Sequence, residues 1–184
     1  YVNGPGGARC TLVLKKRVRQ RLERELEYDG QVFGFEYSKK EINRAIRFRE
    51  QYPDAKPLFP LIENKMTKPE TLYYLEQAGI KRPVMYELGY GNNNCIGCVK
   101  GGMGYWNKVR RDFPEVFDKM AKAERKVGNS CIRNKFLDEL DPEAGREQKM
   151  IMPDCGNFCD IEFSEVLHPR LDEIYEEPVQ LKLI

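Results

Sequence analysis

Apolar residues recur at every fourth position near the start of the chain. In "CTLVLKKRVRQRLERELEYDG", Leu14, Val18, Leu22 and Leu26 fall on one side of a 3.6-residue helix. The pattern predicts one amphipathic helix with a very basic outer face, stopped at Asp29-Gly30. "QVFGFEY" reads as a strand, and the pair Ser38 and Glu41 caps a helix over "SKKEINRAIRFREQY". Proline-rich "PDAKPLFPLI" is expected to be a loop. A second capping pair, Thr67 and Glu70, opens the helix "KPETLYYLEQAG", which Gly79 ends. A short helix over "PVMYELG" leads into a cysteine-containing loop. Beyond it, Trp106 and Val109 share a helical face, and Asp112 with Pro114 begins a fresh helix through Phe117 and Met120 to Gly128. The remainder is acidic and turn-rich, and "PVQLKLI" is the candidate for a last strand.

This inventory has many helices and only two or three strands, fewer than the layered sheet such helices normally cover. The shortfall predicts that part of the fold lies upstream of Tyr1. At 184 residues the chain is long enough for a core of its own, and with no internal repeat or flexible linker it reads as a single domain over 1–184. Lys and Arg (31) nearly balance Asp and Glu (29), so no overall field draws the protein to nucleic acid or membrane. No apolar run approaches the roughly 20 residues of a membrane span, and the first residues lack the order of a signal peptide. A cytoplasmic location without membrane partner is the expectation, and six cysteines there stay as thiols or bind metal.

The chemistry is concentrated in the cysteines. Cys95 and Cys98 form C-x2-C, and Cys155 and Cys159 form C-x3-C, so two thiolate pairs are available for a four-ligand zinc or iron–sulfur site. The competing reading is two unrelated turns with free thiols. A redox C-x-x-C is disfavoured, because the strand–motif–helix context of thioredoxin-like proteins is not evident. Cys10 and Cys131 read as buried small residues, with either able to replace one of the four. Ahead of the first helix, "NGPGGARCTLVLKK" aims backbone amides, Arg9, Thr11 and Lys15 as a phosphate site would, although it matches neither the Walker spacing nor GxGxxG and an ordinary flexible entry turn is the competing reading. Lys108, Arg110 and Arg111 form a candidate anion patch, with a solvated helix face as the more usual explanation. His168, the only histidine, precedes Pro169 and reads as a surface turn residue, so neither a histidine-based triad nor a His-rich metal site is expected.

The order "ARCTLVLKK", "VFGFEYSKKEINRAIRF", "PLFPLI", "YELGYGNNNCIGCVKGGMGYW", "PDCGNFC" resembles the phosphoadenosine phosphosulfate (PAPS) reductase family, in particular its reductase-like members from bacterial and phage genomes. The resemblance spans nearly the whole chain and is most specific at the cysteine loop. It implies a Rossmann-like adenine nucleotide alpha-hydrolase fold of the α/β class. Residues 1–90 would be the C-terminal part of the nucleotide-binding fold and 91–184 a cysteine-containing helical and turn-rich part of the same domain. It also implies action on an adenylated or ATP-activated sulfur substrate, either by sulfonucleotide reduction or by ATP-pyrophosphatase-type sulfur transfer.

By the same resemblance Arg9, Thr11 and Lys15 would lie toward the phosphates of ATP or PAPS, with Arg44 on the helix behind them. Cys95, Cys98, Cys155 and Cys159 would hold a [4Fe-4S] cluster or zinc. The family's SGGxDS loop has no counterpart here, its Gly-x-Arg reads Gly34-Phe35-Glu36, and no C-terminal redox cysteine follows. The chain is therefore expected to be a C-terminal portion, completed by an upstream nucleotide loop. The alternative is a metal-stabilised binding module that contacts nucleic acid or a protein partner through its basic helices. Homo-oligomers fit either reading.

Overall fold

The computed structural model describes residues 3–4, 7–145, 150 and 169–175, with side chains from Cys10 onward except that of Asp172. The chain divides into two compact units, Tyr1–Cys10 with Pro83–Gly156 and Thr11–Arg82 with Asn157–Ile184. It opens on a short antiparallel ladder, β1 (Asn3–Gly4) with β2 (Gly7–Ala8). A helical segment follows: α1 (Arg9–Thr11), a wider π-helical turn over Leu12–Lys16, and α2 (Arg17–Glu25). The helix ends before the expected Asp29, because Leu26 is already extended and the chain must straighten to pair Gln31 with the Lys56 carbonyl at 3.2 Å.

The Thr11–Arg82 unit is organised by a β–α–β connection. Strand β3 (Gln31–Val32) runs into α3 (Lys39–Gln51), and the chain returns to β4 (Pro57–Leu58), parallel to β3. Ser38 caps α3 as its sequence predicts, its Oγ accepting from the Glu41 amide at 3.3 Å. The proline-rich stretch expected as a loop thus supplies a strand. The bonds from Gln31 N–H and Phe33 N–H use only the Lys56 and Leu58 carbonyls, so the missing amide proton of Pro57 leaves no gap in them. Residues 33–37 alternate as an extended chain should: Phe33, Phe35 and Tyr37 are buried, while Val32 and Gly34 are exposed.

Phe33 meets Phe48 of α3 at 4.7 Å between ring centroids, and Phe35 stacks on Phe59 at 5.2 Å. Two short helices complete this part, α4 (Pro60–Glu63) and α5 (Lys68–Gln77). Both the amide and the hydroxyl of Thr67 donate to Glu70, and Gly79 at φ +68° lets Ile80 N–H close α5 onto the Leu75 carbonyl.

The Pro83–Gly156 unit is helical. It contains α6 (Val84–Glu87), α7 (Met103–Asp112) and α8 (Pro114–Val127), with Gly128 at φ +71° ending α8. Trp106 and Val109 share the buried face of α7, as their spacing predicts, and pack with Phe117 and Leu137. In the other unit a last short helix, α9 (Leu171–Ile174), buries Leu171 beside Tyr37 and Ile42. The described residues are thus mainly helical with a small parallel strand pair, a mixed α/β arrangement. Among them no helix is long and apolar enough to cross a membrane. "PVQLKLI" and His168 lie outside the described residues.

Candidate metal centre

The Cys95–Cys98 turn is built on a hydroxyl. Tyr105, in the first turn of α7 and itself buried, accepts from the amides of Gly97 (2.9 Å) and Cys98 (3.2 Å) and donates to the Cys95 carbonyl (3.1 Å). One donor and two acceptor sites are all that a phenol offers, and the turn uses each of them. Burial raises the Tyr105 pKa above its usual value, and the two amide bonds oppose that rise by favouring the anion.

Two glycines make the approach possible. Gly97 has φ +74°, and a Cβ there would lie 2.7 Å from Val116; at Gly101 a Cβ would fall 2.0 Å from the Tyr105 ring. The result is a hydroxyl-braced turn that leaves Cys95 exposed and Cys98 half-buried, two thiols on one short segment. Such a turn can supply two soft ligands with little chain left to order.

The second pair, Cys155 and Cys159, lies outside the described residues. The chain leading to it is anchored beside the first pair. Asn107 of α7 donates to the carbonyls of Asp141 and Ala144, both at 2.8 Å, and Arg110 donates to those of Leu137 (3.0 Å) and Leu140 (2.9 Å). Gly145, at φ +80°, then lies against the first turn of α7, where a Cβ would sit 2.5 Å from the Gly104 nitrogen. Met150 packs on the same core as Tyr105 and Trp106. Cys155 follows Met150 by five residues, a reach of at most roughly 17 Å.

Among the described residues no three His, Cys, Asp or Glu side chains gather as a metal site. Cys10 and Cys131, each half-buried, therefore do not complete the Cys95–Cys98 pair. Cys131 is occupied otherwise. Its amide donates to Glu124, the Leu137 amide donates to the other oxygen of that buried carboxylate at 2.8 Å, and burial together with Glu124 pushes the Cys131 thiol well above its ordinary pKa.

The residues expected near phosphates lie on the first helical segment and on α3. The backbone of Arg9 opens α1; Thr11 is buried at its end, and Lys15 is exposed on the π-helical turn. Arg44 is buried on α3, where Nη1 meets Glu41 at 3.1 Å and the guanidinium lies 4.3 Å from the centre of the Phe35 ring. The basic cluster beyond the cysteine loop separates. Lys108 pairs with Asp112 at 3.0 Å over the Tyr90 ring, Arg110 clamps carbonyls, and Arg111 is exposed. Tyr105, Asn107 and Glu124 carried no motif in the sequence. Gly101, where a Cβ would strike the Tyr105 ring, is the sequence signal for Tyr105 alone.

No protein-family model, no curated protein and no solved structure matches the chain. Any functional reading rests on its own residues and on the motif resemblance.

Proposed function

We propose that the chain is a PAPS reductase-like protein with a four-thiolate metal centre, in which Cys95, Cys98, Cys155 and Cys159 hold zinc or a [4Fe-4S] cluster. The observation that carries this reading is the placement of Gly145 and Met150. The described chain returns to the helix that fixes the first cysteine pair, ten residues before Cys155 begins the second. The chain left to order between Met150 and Cys155 is short, and metal binding by the two pairs adds to folding stability.

The wider reading is of a Rossmann-like protein acting on an adenylated or ATP-activated sulfur substrate. The β3–α3–β4 connection is compatible with it, and Arg9, Thr11 and Lys15 are the candidates for phosphate, with Arg44 supporting from α3. The metal supplies structural closure if zinc and one-electron chemistry if a cluster.

Anaerobically prepared protein tests the centre. Elemental analysis with visible absorption is expected to find zinc or iron, and Cys98→Ser is expected to lose metal and stability together. Six freely titrating thiols in native protein without metal would overturn the centre. For the nucleotide, binding of ATP or PAPS to the complete protein, measured by calorimetric titration, is expected to weaken with Arg9→Ala and Lys15→Ala, each removing a charge-assisted contact. Unchanged affinity in both variants would remove phosphate binding from this helix.

A further inference from the structure

Helix α2 lies the opposite way round from the usual amphipathic helix. Its charged side faces its own unit: Lys16 lies 5.5 Å and Arg19 6.0 Å from the centre of the Tyr52 ring, Arg19 pairs with Glu23, and Gln31 bonds to both. The apolar stripe points away. Leu14 is 71% exposed, Val18 60%, Leu22 52%, and Leu26, just past the helix, 55%. Single exposed apolar residues are ordinary, but four of them one turn apart form a seam that water disfavours.

The charges beside the seam indicate what covers it. Arg17, Arg21 and Glu25 follow at four-residue intervals along one edge, all exposed, with Arg21 Nε 3.3 Å from Glu25. This edge runs from basic to acidic. Two antiparallel copies set each edge against the same edge reversed, so Arg17 meets the partner's Glu25 at both ends. The two Arg21 side chains meet near the axis, each with its own Glu25.

A register centred on Arg21 also interleaves the seam. Leu14 and Val18 lie seven and three residues before the centre, Leu22 and Leu26 one and five after it, so Val18, Leu22 and Leu26 each fall between two apolar side chains of the other copy, and Leu14 lies just beyond its Leu26. Parallel pairing would instead set Arg17 against the edge that carries Lys15. We infer that α2 is a self-association surface, on which a second copy of this chain docks antiparallel through Leu14, Val18, Leu22 and Leu26, with Arg17 against the partner's Glu25.

Sedimentation of the full chain over about 1 to 300 µM tests this, with circular dichroism as the check on folding. A reversible dimer is expected. Arg17→Glu and Glu25→Arg are each expected to raise the dimer Kd about three- to tenfold, since two symmetric pairs become repulsive at once. The double swap restores it to within about twofold, because the attraction is rebuilt with the signs exchanged. Leu22→Asp raises it by more than about tenfold. A chain monomeric throughout the range overturns the proposal. So does a dimer indifferent to Leu22→Asp, or a double variant no tighter than the singles.

Discussion

Replacing Tyr105 by Phe removes one oxygen and leaves the ring, which still packs against Tyr90 (6.0 Å) and Trp106 (5.7 Å). No cavity opens, so the change isolates the three hydrogen bonds of the hydroxyl. The bonds differ in consequence. Gly97 is buried, so its amide loses a partner that water does not replace, a penalty of about 1–3 kcal/mol. Cys98 is half-buried and Cys95 exposed, so their groups recover much of what they lose from solvent.

The expected destabilisation is about 2 kcal/mol. It should appear as a lower denaturation midpoint followed by the fluorescence of Trp106, the sole tryptophan, which is fully buried in the same unit. The turn should loosen as well as weaken. Thiol labelling of Cys98 is expected to quicken in native protein, and exchange of the Gly97 amide to lose protection. A midpoint shift equivalent to less than about 0.5 kcal/mol, with Cys98 labelling unchanged, would refute the assignment of Tyr105 as the group that shapes the cysteine turn.

Two further outcomes follow from the same unit. Glu124→Gln keeps one acceptor but turns an NH2 toward either the Cys131 or the Leu137 amide, so urea unfolding should show a loss of about 2–3 kcal/mol, and a change within error would remove the carboxylate from its bridging role. Burial raises the phenol pKa of Tyr105, and burial with nearby Asp112 raises that of Tyr90. A raised folded pKa means a contribution that is full below the unfolded value near pH 10 and is lost as pH climbs through the folded one. The unfolding free energy should therefore decline above about pH 10, and less steeply in Tyr90→Phe; identical slopes in the two proteins would contradict the burial of that phenol.

Local chemistry made much of the chain legible in advance. Ser38 with Glu41, Thr67 with Glu70, Pro114, Gly79 and Gly128 begin or end helices by satisfying or freeing a few backbone groups within one turn, so a short window of sequence contains the whole cause. The same holds for Trp106 and Val109, whose spacing put them on one buried face. Partners distant in sequence were not legible. Pro57–Leu58 became a strand because the β3 amides needed its carbonyls, and nothing within the proline-rich stretch announces that. Asn107 and Arg110 reach carbonyls about thirty residues on, and Glu124 collects two amides from a loop it does not resemble.

The cysteine spacing declared that two thiols share a turn, but the turn's shape depends on Tyr105, which had no motif of its own. For α2, periodicity established that one face is apolar, and only the tertiary structure decided which way it points. Tyr52 offers a ring to Lys16 and Arg19, Gln31 bridges Arg19 and Glu23, and the charged side is drawn inward. A hydrophobic period fixes which residues lie together on a helix, whereas the direction in which they face depends on contacts from elsewhere in the chain.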